Sequence, residues 1–373
     1  MRFVPVNCIR DGMISGKKLL GKNGELLLNV SSVIHFSYID KLKELGYIGI
    51  YIEDDLSSDI QINEVISQAL RFKAIKTIKN AFIMVENGKD IYQDYVNNIY
   101  NLINDITENI ISNKTLMINL IDLKVFDDYT YYHSVNVGVL SIIIGASINL
   151  NKKHLCNLGL AAMLHDIGKV FIPKKILNKP DKLSHDEFET IKSHSLKGYE
   201  YLNKFFNMTT SSYNGVLQHH ERFDGLGYPT GTKGDKISLF GKIIAIADVY
   251  DALTSKRSYR NAIVPSEAIE YIMGGCGSLF DPVLVNIFIQ KIAPYPIGTC
   301  VSLSNGMIGL VAENYSDCCL RPKVKIIKHR NMEVDPYFID LKYDMSSLNI
   351  TVTGISDGIS SPTQFPDEIS ETA

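Results

Sequence analysis

The 373-residue sequence predicts a mainly α fold: a helical core with a small N-terminal mixed α/β unit and a small C-terminal β-rich appendage. Three observations predict it. Residues 60–125 space apolar side chains at helical steps (Ile60, Val65, Ala69, Phe72, Ile75). Residues 126–293 read as successive helices joined by short loops. Beyond Pro294-Tyr295-Pro296 short β-rich runs alternate with turn residues. The regions that follow are 1–120, an N-terminal mixed and helical region; 121–293, the helical core; 294–355, a small β-rich domain; and 356–373, a tail.

Each element has its own signal. Gly21-Lys22-Asn23-Gly24 marks a turn, and the apolar residues 25–30 after it read as a strand. Ile39, Leu42 and Leu45 give residues 38–45 helical spacing, and Gly46 is a helix stop. Residues 47–52 form a short strand. The helical stretch 60–125 reads equally as a regulatory or dimerising segment and as an extension of the core. Ser184-His185-Asp186-Glu187 is a capping box opening a helix over 188–201, because the Ser hydroxyl and the Glu carboxylate satisfy each other's orphan backbone donors. Residues 237–253 form another helix, with Ile243, Ile244, Ala247, Tyr250 and Ala252 on one face. The runs 301–303, 309–312 and 324–327 are strands. The Ser-, Pro- and acid-rich residues 356–373 lack the apolar content to order themselves.

Composition narrows the function. At 45% hydrophobic and 21% charged the chain supports a sizeable core. A net charge of -3 argues against a broad grip on DNA. The six cysteines form no C-x-x-C pair and read as reduced thiols. Neither a signal peptide nor an apolar run of membrane-spanning length is present, so the expected location is the cytoplasm.

The chemistry sits in the helical middle. Five of nine histidines, His133, His165, His194, His219 and His220, fall there, with Asp166 beside His165 and Asp248 within an apolar helix. Imidazole and carboxylate without cysteine point away from a structural zinc site. Seven such donors are too many for one ion with an open position and suit two ions sharing a carboxylate, for which Asp166 is the natural bridge. Two ions would lower the pKa of a shared water and stabilise charge on an attacked phosphoryl group. Lys169, three residues past Asp166, can reach the same phosphate. A buried Asp248 needs a partner, because an isolated buried carboxylate is costly. His35, His154, His185 and His329 lie outside this pattern.

These residues resemble the HD-GYP branch of the HD phosphohydrolases. The likeness is carried by Tyr129-Thr130-Tyr131-Tyr132-His133-Ser134, His165-Asp166-Ile167-Gly168-Lys169, His194, the string from His219-His220-Glu221 to Gly227-Tyr228-Pro229, and Asp248-Val249-Tyr250-Asp251-Ala252-Leu253-Thr254. It covers 126–293 and implies an all-helical HD-type core binding two divalent ions, iron or manganese. One ion would take His133, His165, Asp166 and Asp248, the other Asp166, His194, His219 and His220. The implied activity is hydrolysis of cyclic di-GMP to pGpG, to GMP, or to both. Lys169 would hold the scissile phosphate. Tyr228, Arg257 and Arg260 would contact the guanines or the second phosphate, and Gly225 and Gly227 would let the loop turn. Some members hold a third metal through a carboxylate four residues before the first histidine; here that residue is Tyr129, which implies two ions. The family's Arg-Pro-Tyr-Arg string reads Arg257-Ser258-Tyr259-Arg260. The expected partner is cyclic di-GMP, with a homodimer as a further expectation. Two alternatives stay open: a non-catalytic cyclic dinucleotide sensor, and a phosphodiesterase for another cyclic dinucleotide.

Overall fold

The computed structural model describes residues 1–21, 25–45, 47, 49–62, 64–88, 93–113, 117, 129–179, 181–255, 263–330 and 332–356. Outside them lie most of the turn expected at 21–24, the helix stop Gly46, the end of the helical stretch to 125, Arg257, Arg260, and the tail from 357. The chain forms two compact units, Met1–Ile62 with Tyr295–Ala373, and Asn63–Pro294.

The first unit is built on sheets. Strand β1 (Arg2–Pro5), β2 (Ile14–Ser15), the short pair β3 (Leu19–Leu20) and β4 (Leu26–Leu28), helix α1 (Phe36–Glu44) and β5 (Gly49–Glu53) follow in chain order. β1, β5 and β2 make one antiparallel sheet with β5 central. β6 (Cys300–Leu303), β7 (Met307–Glu313), β8 (Lys323–His329), β9 (Met332–Asp340) and β10 (Val352–Ile355) make a second antiparallel sheet, in the order β10-β6-β7-β8-β9. Successive side chains on a strand point to opposite faces. Val301, Val311 and Ile326 therefore bury on one face, and their neighbours Cys300, Leu310 and Ile327 on the other. The buried Lys325 is satisfied by donating from Nζ to Asp59 Oδ1 at 2.8 Å and to the Leu56 carbonyl at 3.0 Å.

The second unit is helical: α2 (Gln68–Glu86), α3 (Gln93–Ser112), α4 (Tyr129–Ser147), α5 (Lys152–Leu164), α6 (Lys174–Leu177), α7 (His185–Lys192), α8 (His194–Phe205), α9 (Thr210–Gln218), α10 (Leu239–Thr254), α11 (Pro265–Gly274) and α12 (Pro282–Ile289). α2 and α3, which the sequence reading grouped with residues 1–120, pack here, α2 on α4 and α3 on α5. One continuous core runs through the unit. α4 is apolar nearly all round, from Val135 to Ala146, and is buried accordingly. α10 packs against it, burying Ile243, Ile244, Ile246 and Tyr250. No helix among the described residues is long and apolar enough to cross a membrane. None of the six cysteines is paired in a disulfide.

The single helix expected over 188–201 is two, α7 and α8, meeting at Ser193. The capping box at its start is present, with both Ser184–Glu187 hydrogen bonds formed. The break has a side-chain cause. Ser193 Oγ donates to the Thr190 carbonyl at 2.6 Å, and His194 Nδ1 to the Ile191 carbonyl at 2.7 Å. In a continuous helix those carbonyls would accept from backbone N–H groups further along the chain. The break turns His194 inward.

Candidate metal centre

Five elements bring the donors together. His133 sits near the start of α4, and His165 and Asp166 at the end of α5. His194 opens α8, His219 and His220 follow α9, and Asp248 lies on α10. His133, His165, Asp166, His194, His219 and Asp248 are buried, while His220 is partly exposed. Two triads have ligating atoms within 4.8 Å of one another: His133, His165 and Asp166, and His194, His219 and His220. Asp166 joins them, its Oδ2 3.3 Å from His165 Nε2 and its Oδ1 3.4 Å from His194 Nε2. Asp248 Oδ1 is 3.1 Å from His133 Nε2, and its Oδ2 is 4.0 Å from His220 Nδ1. All seven donors expected from the sequence therefore converge.

Hydrogen bonds fix which nitrogen of each ring faces inward. His165, His194 and His219 each donate Nδ1–H to the carbonyl three residues earlier, of Ala162, Ile191 and Val216, at 2.7, 2.7 and 2.6 Å. A carbonyl only accepts, so these rings carry their proton on Nδ1 and present a lone pair at Nε2. His133 differs: its Nδ1 bonds a carboxylate, Asp251 Oδ2, at 2.7 Å. Asp251 Oδ1 also accepts from Asn136 Nδ2 at 2.9 Å.

The protein's own groups leave this cluster unbalanced. His194 Nε2 and His219 Nε2 face each other at 3.2 Å, both as lone pairs. Desolvation holds His194 down at about 4 and His219 well below the usual histidine range, so neither ring takes a second proton near neutrality. His165 Nε2 and Asp166 Oδ1 are buried without a hydrogen-bond partner. Buried polar atoms in such an arrangement call for a cation. Imidazole and carboxylate donors with a supporting outer layer of hydrogen bonds are what a divalent metal needs. The donor set fits metal binding.

The remaining charges agree. Burial opposes ionising Asp166 and Asp248, but His165 and Lys169 around the first, and His133 above all around the second, hold both carboxyls well below their usual range. Lys169 Nζ donates to Asp166 Oδ2 at 2.6 Å. Burial also opposes charge on His133, yet Asp248 and Asp251 outweigh it and raise the ring to about 9. Desolvation brings His220 to about 3.

The loop after His220 closes over the cluster. Tyr228 stacks on the His220 ring (centroids 4.7 Å apart, planes at 28°), and burial pushes its phenol up, so the hydroxyl stays a donor. Gly225 adopts φ +85°, a left-handed turn that a side chain would strain. Arg257 and Arg260 lie outside the described residues. Sequence reasoning assigned no role to Asp251, Asn136 or Glu221. Asp251 and Asn136 each lie one helical turn past a donor, Asp248 and His133, and that spacing was the available signal. Glu221 Oε1 accepts from Thr230 N at 2.8 Å and Thr230 Oγ1 at 2.7 Å, tying the two ends of the loop together.

Comparison with known proteins agrees with this architecture. Residues 100–284 match the HD domain. Cyclic di-GMP phosphodiesterase PA4108 of Pseudomonas aeruginosa is 37% identical over 225 residues, 60% of this chain and 54% of that protein. The cyclic di-GMP phosphodiesterase response regulator RpfG of Xanthomonas campestris pv. campestris is 39% identical over 152 residues, 40% of this chain and 39% of that protein. The 3'3'-cGAMP-specific phosphodiesterase 1 of Vibrio cholerae is 37% identical over 190 residues, 50% of this chain and 43% of that protein. The chain thus spans about half the length of these curated relatives, or less. Residues 100–284, which match the HD domain, carry the buried histidine and aspartate cluster and the Gly-Tyr-Pro loop, and this stretch of the chain is an HD domain.

Proposed function

We propose that this chain is a metal-dependent phosphodiesterase that hydrolyses cyclic di-GMP to pGpG, to GMP, or to both. The observation that carries the reading is the convergence of seven nitrogen and oxygen donors, in which His194 and His219 turn lone pairs to each other and His165 Nε2 and Asp166 Oδ1 are buried without a hydrogen-bond partner. His133, His165, Asp166 and Asp248 would hold one divalent ion, and Asp166, His194, His219 and His220 a second. Iron and manganese both suit this donor set. When bound, two such ions supply Lewis-acid polarisation of a phosphodiester and acidify water near neutral pH.

The chain's own residues do the rest. The i−3 carbonyls hold the rings of His165, His194 and His219 with Nε2 turned inward, and Asp251 orients His133 through its Nδ1. Lys169, whose Nζ donates to Asp166, is a cation beside the donors and would hold the scissile phosphate. Tyr228 offers a protonated hydroxyl over His220. Gly225 shapes its loop, and Arg257 and Arg260 would grip the second phosphate, since guanidinium suits bidentate phosphate recognition. A cytoplasmic location and a homodimer belong to the same proposal. The cGAMP-specific relative favours the hybrid cyclic dinucleotide as a second substrate.

The test is turnover. Protein loaded with iron or manganese under reducing conditions should convert cyclic di-GMP to a linear product by chromatography. His165→Ala or Asp166→Ala should abolish it. A loaded wild type that releases no product over hours, yet binds the dinucleotide tightly by calorimetry, would leave a sensor in place of an enzyme.

A further inference from the structure

Beside the centre a row of groups leads away from the donors to two side chains, Lys192 and Phe188, without a role in the chemistry above. From His220 it passes to Tyr228, stacked at 4.7 Å, and then to Lys192 Nζ, 5.7 Å from the Tyr228 ring centroid. Lys192 Nζ is also 4.8 Å from the centroid of Phe188, one turn earlier on α7. Glu189 Oε1 accepts from Lys192 Nζ at 2.6 Å and helps hold it between the two aromatic rings. Phe188 is 46% exposed, although it shares a helix with no buried residue. The exposed ring thus stands beside a positioned ammonium two positions before His194, which opens α8.

We propose that Phe188 and Lys192 form a purine-base subsite that prefers guanine over adenine. The inference rests on the phosphodiesterase reading, because a phosphate at the metal centre places a base about one sugar away, towards this row. The exposed face of Phe188 provides a stacking platform, which takes any base. Lys192 supplies the discrimination. An ammonium only donates, and guanine presents two acceptors, N7 and O6, on one edge. Adenine presents N7 beside an N6 amino donor, which meets the ammonium donor to donor.

The experiment titrates slowly hydrolysed phosphorothioate analogues of cyclic di-GMP and cyclic di-AMP into the manganese-loaded full chain by calorimetry. The wild type should bind the guanine analogue more tightly. Lys192→Gln should weaken the guanine analogue by about tenfold, the scale of one charge-assisted hydrogen bond, and narrow the ratio between the two. Phe188→Ala should weaken both by about tenfold, and Phe188→Trp should restore both. Equal losses for both analogues in Lys192→Gln, an unchanged ratio, or wild-type affinity in Phe188→Ala would overturn the subsite. Turnover of unmodified cyclic di-GMP by the wild type is measured separately. Its absence counts against the phosphodiesterase reading, whereas the affinity ratio still decides the subsite.

Discussion

At the scale of the residue, His133 is the odd member of the set. Three histidines lean on backbone carbonyls, and His133 alone leans on a carboxylate, Asp251, with Asp248 at its other nitrogen. Those carboxylates raise the ring to about 9 from its usual 6.5, against the effect of burial. In the metal-free protein the pair therefore contributes stability that is full below 6.5 and lost as pH rises through about 9. Metal binding runs the other way, because a ligating nitrogen must lose its proton. Manganese affinity should therefore rise with pH, by up to about tenfold per unit, and level off near the raised value. Asp251→Asn removes one of the supporting carboxylates, so its affinity should level off at a lower pH and about ten- to a hundred-fold weaker. Calorimetric titrations across pH check both. A pH-independent affinity would mean that His133 does not bind the ion.

At the scale of the element, five of the seven donors stand at helix ends, and His133 and Asp248 stand within helices. His165 and His219 cap the ends of α5 and α9, and His194 opens α8 at a break that its own imidazole helps to make. The turn bearing Asp166 and Lys169 lies hard against that break. A Cβ at Gly168 would stand 1.9 Å from the His194 carbonyl oxygen and 2.6 Å from the Gly198 nitrogen, both backbone atoms. Gly168→Ala should therefore force the turn away from α8, costing about 3 kcal/mol. Urea unfolding measures the loss, and metal analysis should show fewer ions per chain. A variant with wild-type stability and metal content would remove the argument that this close approach sets the Asp166–His194 distance.

At the scale of the molecule, the ions would join α4, the α5 end, α8, α9 and α10 within the unit Asn63–Pro294. An ion bound only by the folded state stabilises by mass action, about 2.7 kcal/mol per site at a hundredfold excess over Kd. Chelation should lower the melting temperature, and readdition of manganese should restore it, as scanning calorimetry would record. An unchanged melting temperature on chelation would separate the centre from the stability of its unit.

Much of this was legible before any coordinates. Residue types set the chemistry: five histidines and two aspartates in the helical middle predicted the donor set, and Ser184 and Glu187 predicted their own cap. Apolar spacing predicted α1 and α10 because burial of one helix face leaves a periodic mark. The sequence by itself determined which atoms are available to a metal and that a helical core carries them. Only the tertiary structure decided the rest: that α2 and α3 belong with the core, that the helix at 188–201 breaks at Ser193, and that Asp251 rather than a carbonyl supports His133. The break is local: two side chains compete for carbonyls three residues back, which apolar periodicity does not record. The other two are distant: periodicity and motif record a residue's local environment, and the sequence around His133 does not name a partner more than a hundred positions away, as Asp251 is.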